Sequence, residues 1–213
     1  MTVTAVHKKI YACFFKRALD ILLSIAALAI LAIPMALLGA VIRLESRGPA
    51  LFRQRRAGKC GKPFMLLKFR TMRTDVEPYG VSPHSADDPR LTRVGRYCRE
   101  TSLDELPQLM NVLIGQMSLV GPRPLYERQA AQWNPRQRRR LEVRPGLSGY
   151  AQAFGRGAMT IEDKIEFDLH YVDNVSLLLD LKIIFKTLGN MFGRSGKIYE
   201  QRYSRDKERE TDQ

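Results

Sequence analysis

Cysteine and histidine are scarce in this sequence, three of each, and their placement excludes more than their number does. Cys13, Cys60 and Cys98 form no CxxC pair and no cluster with His7, His84 or His170. Neither a zinc site nor a disulfide framework is therefore expected, and a reducing compartment fits. No histidine lies in a nucleophile motif, which removes triad chemistry of the Ser-His-Asp kind. A Walker A loop, a dinucleotide glycine fingerprint and internal repeats are all missing. Acidic residues are in short supply too, 22 against 35 lysines and arginines, for a net charge of +13. That excess suits an anionic partner: nucleic acid, acidic headgroups or a phosphate-rich substrate. Around 90–99 only Tyr97 interleaves with the arginines, so single-stranded nucleic acid is not the expected partner.

One uncharged run dominates what is present. Positions 21–42 hold 22 consecutive residues without a charged side chain. At about 1.5 Å per residue this is enough helix to cross a hydrocarbon core of roughly 30 Å. A cleaved signal peptide would be shorter and would precede secreted-looking chain; here Arg43, Arg47, Arg53, Arg55 and Arg56 follow. Lys8, Lys9, Lys16 and Arg17 precede the run just as densely, and the positive-inside tendency then keeps both ends in the cytoplasm. Pro34 lies inside the run, where its ring removes a backbone donor and collides with the preceding turn. Residues 1–47 are accordingly expected to form a re-entrant helix-break-helix, with the break at Pro34. A single spanning helix with a tolerated proline is the competing reading.

The rest of the chain, 48–200, is long enough for one domain with a real core, and the charged segment 201–213 is expected to be disordered. Two short strands are predicted at 50–56 and 64–70 around Gly58, Gly61 and Pro63. Alternation along the second puts Lys68 and Arg70 on one face, a solvated surface or half of a phosphate clamp. The polar stretch 74–88 reads as a loop. A polar helical pattern over 126–142 is interrupted near Pro135, and its run Arg138-Arg139-Arg140 suits a headgroup-facing or solvated surface. The segment RPGLSG at 144–149 reads as a tight turn. Helices are predicted over 161–172 and 177–192. Asp180 lies on an apolar face of the second of these and needs a partner there: a pocket carboxylate or an internal ion pair satisfies that need.

The candidate chemistry sits at Asp104 and Glu105. Ser102 followed three residues on by Glu105 is a capping-box pattern, which would place both carboxylates in a helix's first turn. A well-capped helix is the bland reading. Yet Arg90, Arg93, Arg96, Arg99 and Arg123 surround the pair in sequence. Two carboxylates among arginines, whose forks hold phosphate oxygens, suit phosphoryl transfer with a divalent metal. An ionised aspartate needs no base to act as a nucleophile.

The string SLDELPQLMNVLIGQMSLVGPRP at 102–124, with KFRTM at 68–72 before it and RPGLSGYAQ at 144–152 and LDLKIIFKT at 179–187 after it, resembles the monotopic phosphoglycosyl transferases, the bacterial sugar transferases. The order of motifs holds over nearly the whole chain. The resemblance implies an α/β fold of mostly short helices with a small β-hairpin, a re-entrant membrane helix, and a site on the cytoplasmic face of the bacterial inner membrane. It implies that Asp104 attacks the sugar-linked phosphorus of a nucleotide diphosphate sugar, with UDP as the expected carrier. A covalent aspartyl phospho-sugar follows, which polyprenyl phosphate then takes. Mg²⁺ is the implied cofactor, with Glu105 as its protein ligand, and Lys68, Arg70, Arg99, Arg123 and Arg144 match the family's basic, phosphate-binding positions. The family often places serine before the helix-breaking proline, whereas this chain has Ile33. Larger members carry further membrane helices and another domain ahead of this core, and this chain is expected to have neither. Membrane lipid is an expected partner and nucleic acid is not, while a homo-oligomer is left open. A non-catalytic basic adaptor on one spanning helix would explain the charge but not the acidic pair. An alcohol phosphotransferase would want several spans and a multi-aspartate motif that is not found.

Overall fold

The computed structural model describes residues 11–76, 83, 85, 87–155 and 159–192. The expected tail at 201–213, Lys8 and Lys9, and most of the polar loop around 80 lie outside the described residues.

After a π-helical turn, Tyr11–Phe15, the uncharged run forms helix α1, Lys16–Glu45. Its alanines, leucines and isoleucines favour helix strongly enough that the helical assignment continues through Pro34. The expected break does not appear as an interruption of the helix. What the structure adds is how α1 is held, because both of its ends dock on the rest of the chain while its middle does not. At the N-terminal end Arg17 donates to the Val112 and Leu113 carbonyls at 2.6 and 2.8 Å. The Asp20 carboxylate accepts from the Ser118 hydroxyl and the Leu119 amide at 3.1 and 2.9 Å. At the C-terminal end Glu45 accepts from the Arg93 and Val94 amides at the start of α2 (Arg93–Thr101), where helix-terminal donors favour a carboxylate. Between these attachments Ile30, Ile33 and Leu37 are 75%, 74% and 63% exposed.

The hairpin forms as predicted, displaced by one residue: β1 (Leu51–Ala57) pairs antiparallel with β2 (Pro63–Phe69). Phe64 and Leu66 point inward against Val112 and Met117. The inner face therefore also carries Lys68, two residues further along. A 3₁₀ turn, Leu103–Glu105, and helix α3 (Gln108–Leu113) follow α2. Asn111, almost wholly buried, ties α3 to the hairpin by donating to the Met65 carbonyl and accepting from the Leu67 amide.

Strand β3 (Ser118–Val120) pairs parallel with β4 (Gly146–Ser148), so the segment expected as a tight turn is partly a strand. Here glycine is obligatory: a Cβ on Gly146 would stand 2.1 Å from the Gly121 nitrogen. Between the two strands lie α4 (Glu127–Ala131), α5 (Pro135–Arg138) and a 3₁₀ turn over Arg139–Glu142. Then come α6 (Tyr150–Phe154), α7 (Ile161–Asp173) and α8 (Leu177–Phe192). Val120, Ala153, Tyr171, Val175 and Ile183 pack together as the core of this half.

Asp180 is a structural tie rather than a pocket carboxylate. Tyr11 and Lys16 donate to its Oδ2 at 2.7 and 2.6 Å, and the Tyr171 hydroxyl lies 2.7 Å from its Oδ1. Among the expectations for this residue, the internal ion pair is the one realised, and it joins α1 to α7 and α8.

Candidate active site

Asp104 and Glu105 do not open an α-helix. Ser102 takes a left-handed conformation, φ 59°, and makes no side-chain capping hydrogen bond to the turn that follows. The expected capping box is therefore absent: α2 ends at Thr101, the chain turns sharply, and the two carboxylates occupy the 3₁₀ turn before Pro107 and α3. The tight turn aims both acids at the hairpin.

Lys68 reaches between them. Its Nζ donates to Glu105 Oε1 at 2.9 Å and lies 3.7 Å from Asp104 Oδ2. Arg123, in the loop after β3, donates to the same Glu105 Oε1 at 2.9 Å. Asp104 is only 7% exposed. Burial raises its carboxyl above the ordinary range; Lys68 opposes this, the Glu105 charge adds to it, and Arg99 and Arg123 also oppose it. Burial likewise favours protonation of Glu105, but Arg123 and Lys68 outweigh it and hold that carboxyl well below the usual range. The same surroundings thus push the two carboxyls in opposite directions.

Arg99 belongs to the same neighbourhood. Its Nε donates to the Thr71 hydroxyl at 2.9 Å, and its charge is felt at both Asp104 and Asp88. Gly95 allows this approach of α2, since a Cβ there would meet the Thr71 carbonyl oxygen at 2.0 Å. Arg90 and Arg96 are engaged by acids of the loop before α2, Asp88 and Asp87.

Two expected phosphate ligands, Arg70 and Arg144, direct hydrogen bonds at main-chain carbonyls. Arg70 follows the last residue of β2, so the strand's alternation does not extend to it. Its guanidinium is buried among main-chain acceptors at the end of α1, donating to Pro49 O at 2.8 Å, Ser46 O at 2.8 Å, Ile42 O at 3.3 Å and the Ser46 hydroxyl at 2.5 Å. It caps the C-terminal end of α1. Arg144 donates through Nε to the Gly115 carbonyl at 3.0 Å, just past the far end of the helix that Asp104 and Glu105 precede. Of the five expected basic residues, Lys68 and Arg123 are brought into ion pairs with the acidic pair and Arg99 stands beside it.

A divalent cation fits this donor set. Glu105 Oε1 takes both of the hydrogen bonds from cationic side chains, and Asp104 stands next to it. Among the described residues no third metal-binding side chain joins them. One or two carboxylates completed by substrate phosphates and water is the way Mg²⁺ is bound.

Sequence reasoning passed over several residues that build the site. Asp20, Arg17 and Glu45 lock α1 in place. Asn111 sets the hairpin against α3. Arg140, expected at a surface, is 4% exposed and paired with Asp168. Only the density of charge around an apolar run hinted at the first group.

Comparison with known proteins gives a family for the chain. A family model described as bacterial sugar transferase matches residues 11–194. The "Uncharacterized sugar transferase EpsL" of Bacillus subtilis is 44% identical over 182 residues, covering 85% of this chain and 89% of that protein. The UDP-glucose:undecaprenyl-phosphate glucose-1-phosphate transferase of Caulobacter vibrioides is 45% identical over 185 residues, 83% of this chain and 69% of its own. A UDP-N-acetylgalactosamine-undecaprenyl-phosphate N-acetylgalactosaminephosphotransferase of Aeromonas hydrophila is 43% identical, with 84% of this chain matched to 44% of that protein.

Proposed function

The chain belongs to the bacterial sugar transferase family, and from that premise we propose that it moves a sugar 1-phosphate from a UDP-sugar to polyprenyl phosphate through a covalent intermediate on Asp104. The relatives' substrates, as their names give them, support the overall reaction. The observation that carries the residue assignment is the Lys68 ammonium within 3.7 Å of the Asp104 carboxylate and 2.9 Å of that of Glu105, with Arg123 bonded to the same Glu105 oxygen.

In the first step an Asp104 carboxylate oxygen attacks the sugar-bearing phosphorus. The bond from that phosphorus to the bridging oxygen breaks, and UMP leaves with the electron pair. In the second a polyprenyl phosphate oxygen attacks the same phosphorus and displaces the carboxylate, giving the polyprenyl diphospho-sugar and free Asp104. Lys68 and Arg123 provide positive charge at the face where phosphate charge accumulates. Arg99 adds to it from α2. Bound Mg²⁺, with Glu105 as its protein ligand, would supply further charge neutralisation between an anionic nucleophile and an anionic substrate. Incubation with UDP-sugars and Mg²⁺ should give sustained UMP release only when polyprenyl phosphate is added; absence of release with every sugar would contradict the reading.

Both ends of α1 dock on the same domain, through Arg17 and Asp20 at one end and Glu45 and the Arg70 contacts at the other. A bilayer cannot pass between the two attachments without splitting that domain. This supports a monotopic chain whose exposed middle, around Ile30 and Ile33, dips into one leaflet from the cytoplasmic face. Single cysteines placed just outside either end of 21–42 should both resist membrane-impermeant reagents in intact cells. Labelling of one end alone would indicate a spanning helix.

A further inference from the structure

The loop that presents Arg123 is held in an unusual way, and that arrangement reaches into the second half of the fold. Pro122 and Pro124 flank Arg123 and have no amide to donate, so the loop is fixed through its carbonyls. Pro122 O accepts from the Gly146 amide at 2.9 Å, Leu125 O from the Ala57 amide at 3.0 Å, and Pro124 O from Arg56 at 3.3 Å. The remaining carbonyl, that of Arg123 itself, accepts from Arg140 Nη2 at 2.9 Å. The same nitrogen contacts Asp168 Oδ2 on α7, and the guanidinium lies 4.8 Å from the centre of the Trp133 ring.

Arg140 and Asp168 are 4% and 2% exposed. Removing two charges from water costs several kcal/mol per ion before their attraction is counted, which is why an apolar pair often does as well for stability alone. Among the described residues, Arg140 Nε and Nη1 and Asp168 Oδ1 are also buried without hydrogen-bond partners. As a stabilising device it is poor. As a device for locating one carbonyl it is rigid, because the planar fork is held by both an acid and an indole ring.

We propose that Arg140, fixed by Asp168, is a positioning residue for Arg123: it grips the Arg123 carbonyl and so sets where the Arg123 guanidinium meets Glu105. Charge on α7, remote in sequence, thereby governs the geometry of the phosphoryl-transfer site. The inference rests on the site assignment above and adds a residue that does not itself touch substrate.

The test is a double-mutant cycle on UMP release by the full chain with UDP-sugar, polyprenyl phosphate and Mg²⁺. Arg140→Met should lower kcat about 10-fold or more, with a smaller change in KM for the UDP-sugar, because a misplaced transition-state contact is lost rather than a binding contact. In an Arg123→Ala background the same change should cost less than about 2-fold, since its target is already gone. Should Arg140→Met fail to fold because Asp168 is stranded, the doubly apolar Arg140→Met/Asp168→Leu protein takes its place. That protein should match the native unfolding temperature within a few degrees while showing the same kcat loss. Losses that multiply in the Arg123→Ala background, or native kcat in the folded doubly apolar protein, would overturn the link. An Arg123→Ala protein with native activity would instead overturn the site assignment, and the proposal with it.

Discussion

Asp104→Asn is expected to lower turnover about 10⁴-fold or more, the scale on which removal of a catalytic nucleophile is felt, while binding of the nucleotide sugar changes little. The amide keeps the shape of the carboxyl and its place in the turn between Ser102 and Pro107, but offers no anionic oxygen to the phosphorus. The same substitution should not weaken the fold. Burial raises the Asp104 carboxyl above its ordinary 3.8, so the folded chain binds this proton more tightly than the unfolded chain does. The stability tied to the protonated carboxyl is present below that ordinary value and is lost as pH rises through the folded one. An amide never ionises and avoids the loss. At pH 7 the Asp104→Asn protein should unfold at the native temperature or above it, and its advantage should shrink as the pH is lowered. An inactive protein that is also markedly less stable at pH 7 would point to a structural role for the carboxylate.

Glu105→Gln should also be severe, about 100-fold or more, on the scale of losing a preorganised electrostatic contact, but the loss should have a different character. Glu105 is the anion on which Lys68 and Arg123 converge. Neutralising it releases both cations toward Asp104, which Lys68 already approaches at 3.7 Å, and weakens the hold on a divalent cation. Raising Mg²⁺ should therefore recover part of the activity of Glu105→Gln and none of that of Asp104→Asn. A titration of UMP release against Mg²⁺ for the two proteins separates a ligand from a nucleophile; equal recovery in both, or in neither, contradicts the division of labour.

The parts legible in the sequence were those whose cause is local. Turn residues at Gly58, Gly61 and Pro63 bracketed the hairpin, and helical periodicity located α7 and α8, the latter at its observed bounds Leu177–Phe192. Lys68 lies on the face of β2 that carries Phe64 and Leu66, as alternation requires. Three-residue strands are too short for any period to register, so β3 and β4 were invisible; they exist because Gly121 and Gly146 let two loops touch. The arginines show the sharpest limit. Arg70, Arg144 and Arg17 spend their donors on backbone carbonyls, and a carbonyl leaves no mark in sequence that distinguishes it from its neighbours. Arg140 was hidden in a basic run whose other members are exposed. Nothing in the local pattern indicates that its partner, Asp168, waits 28 residues away.

The most direct test of the covalent mechanism is the mass of the protein after incubation with UDP-sugar and Mg²⁺ in the absence of polyprenyl phosphate. The account predicts release of about one UMP per active site, a mass increase equal to one phospho-sugar on the peptide containing Asp104, and loss of that mass when polyprenyl phosphate is added. An adduct on any other residue, or UMP release from the Asp104→Asn protein at the native rate, would contradict it and leave direct transfer between two bound substrates as the mechanism.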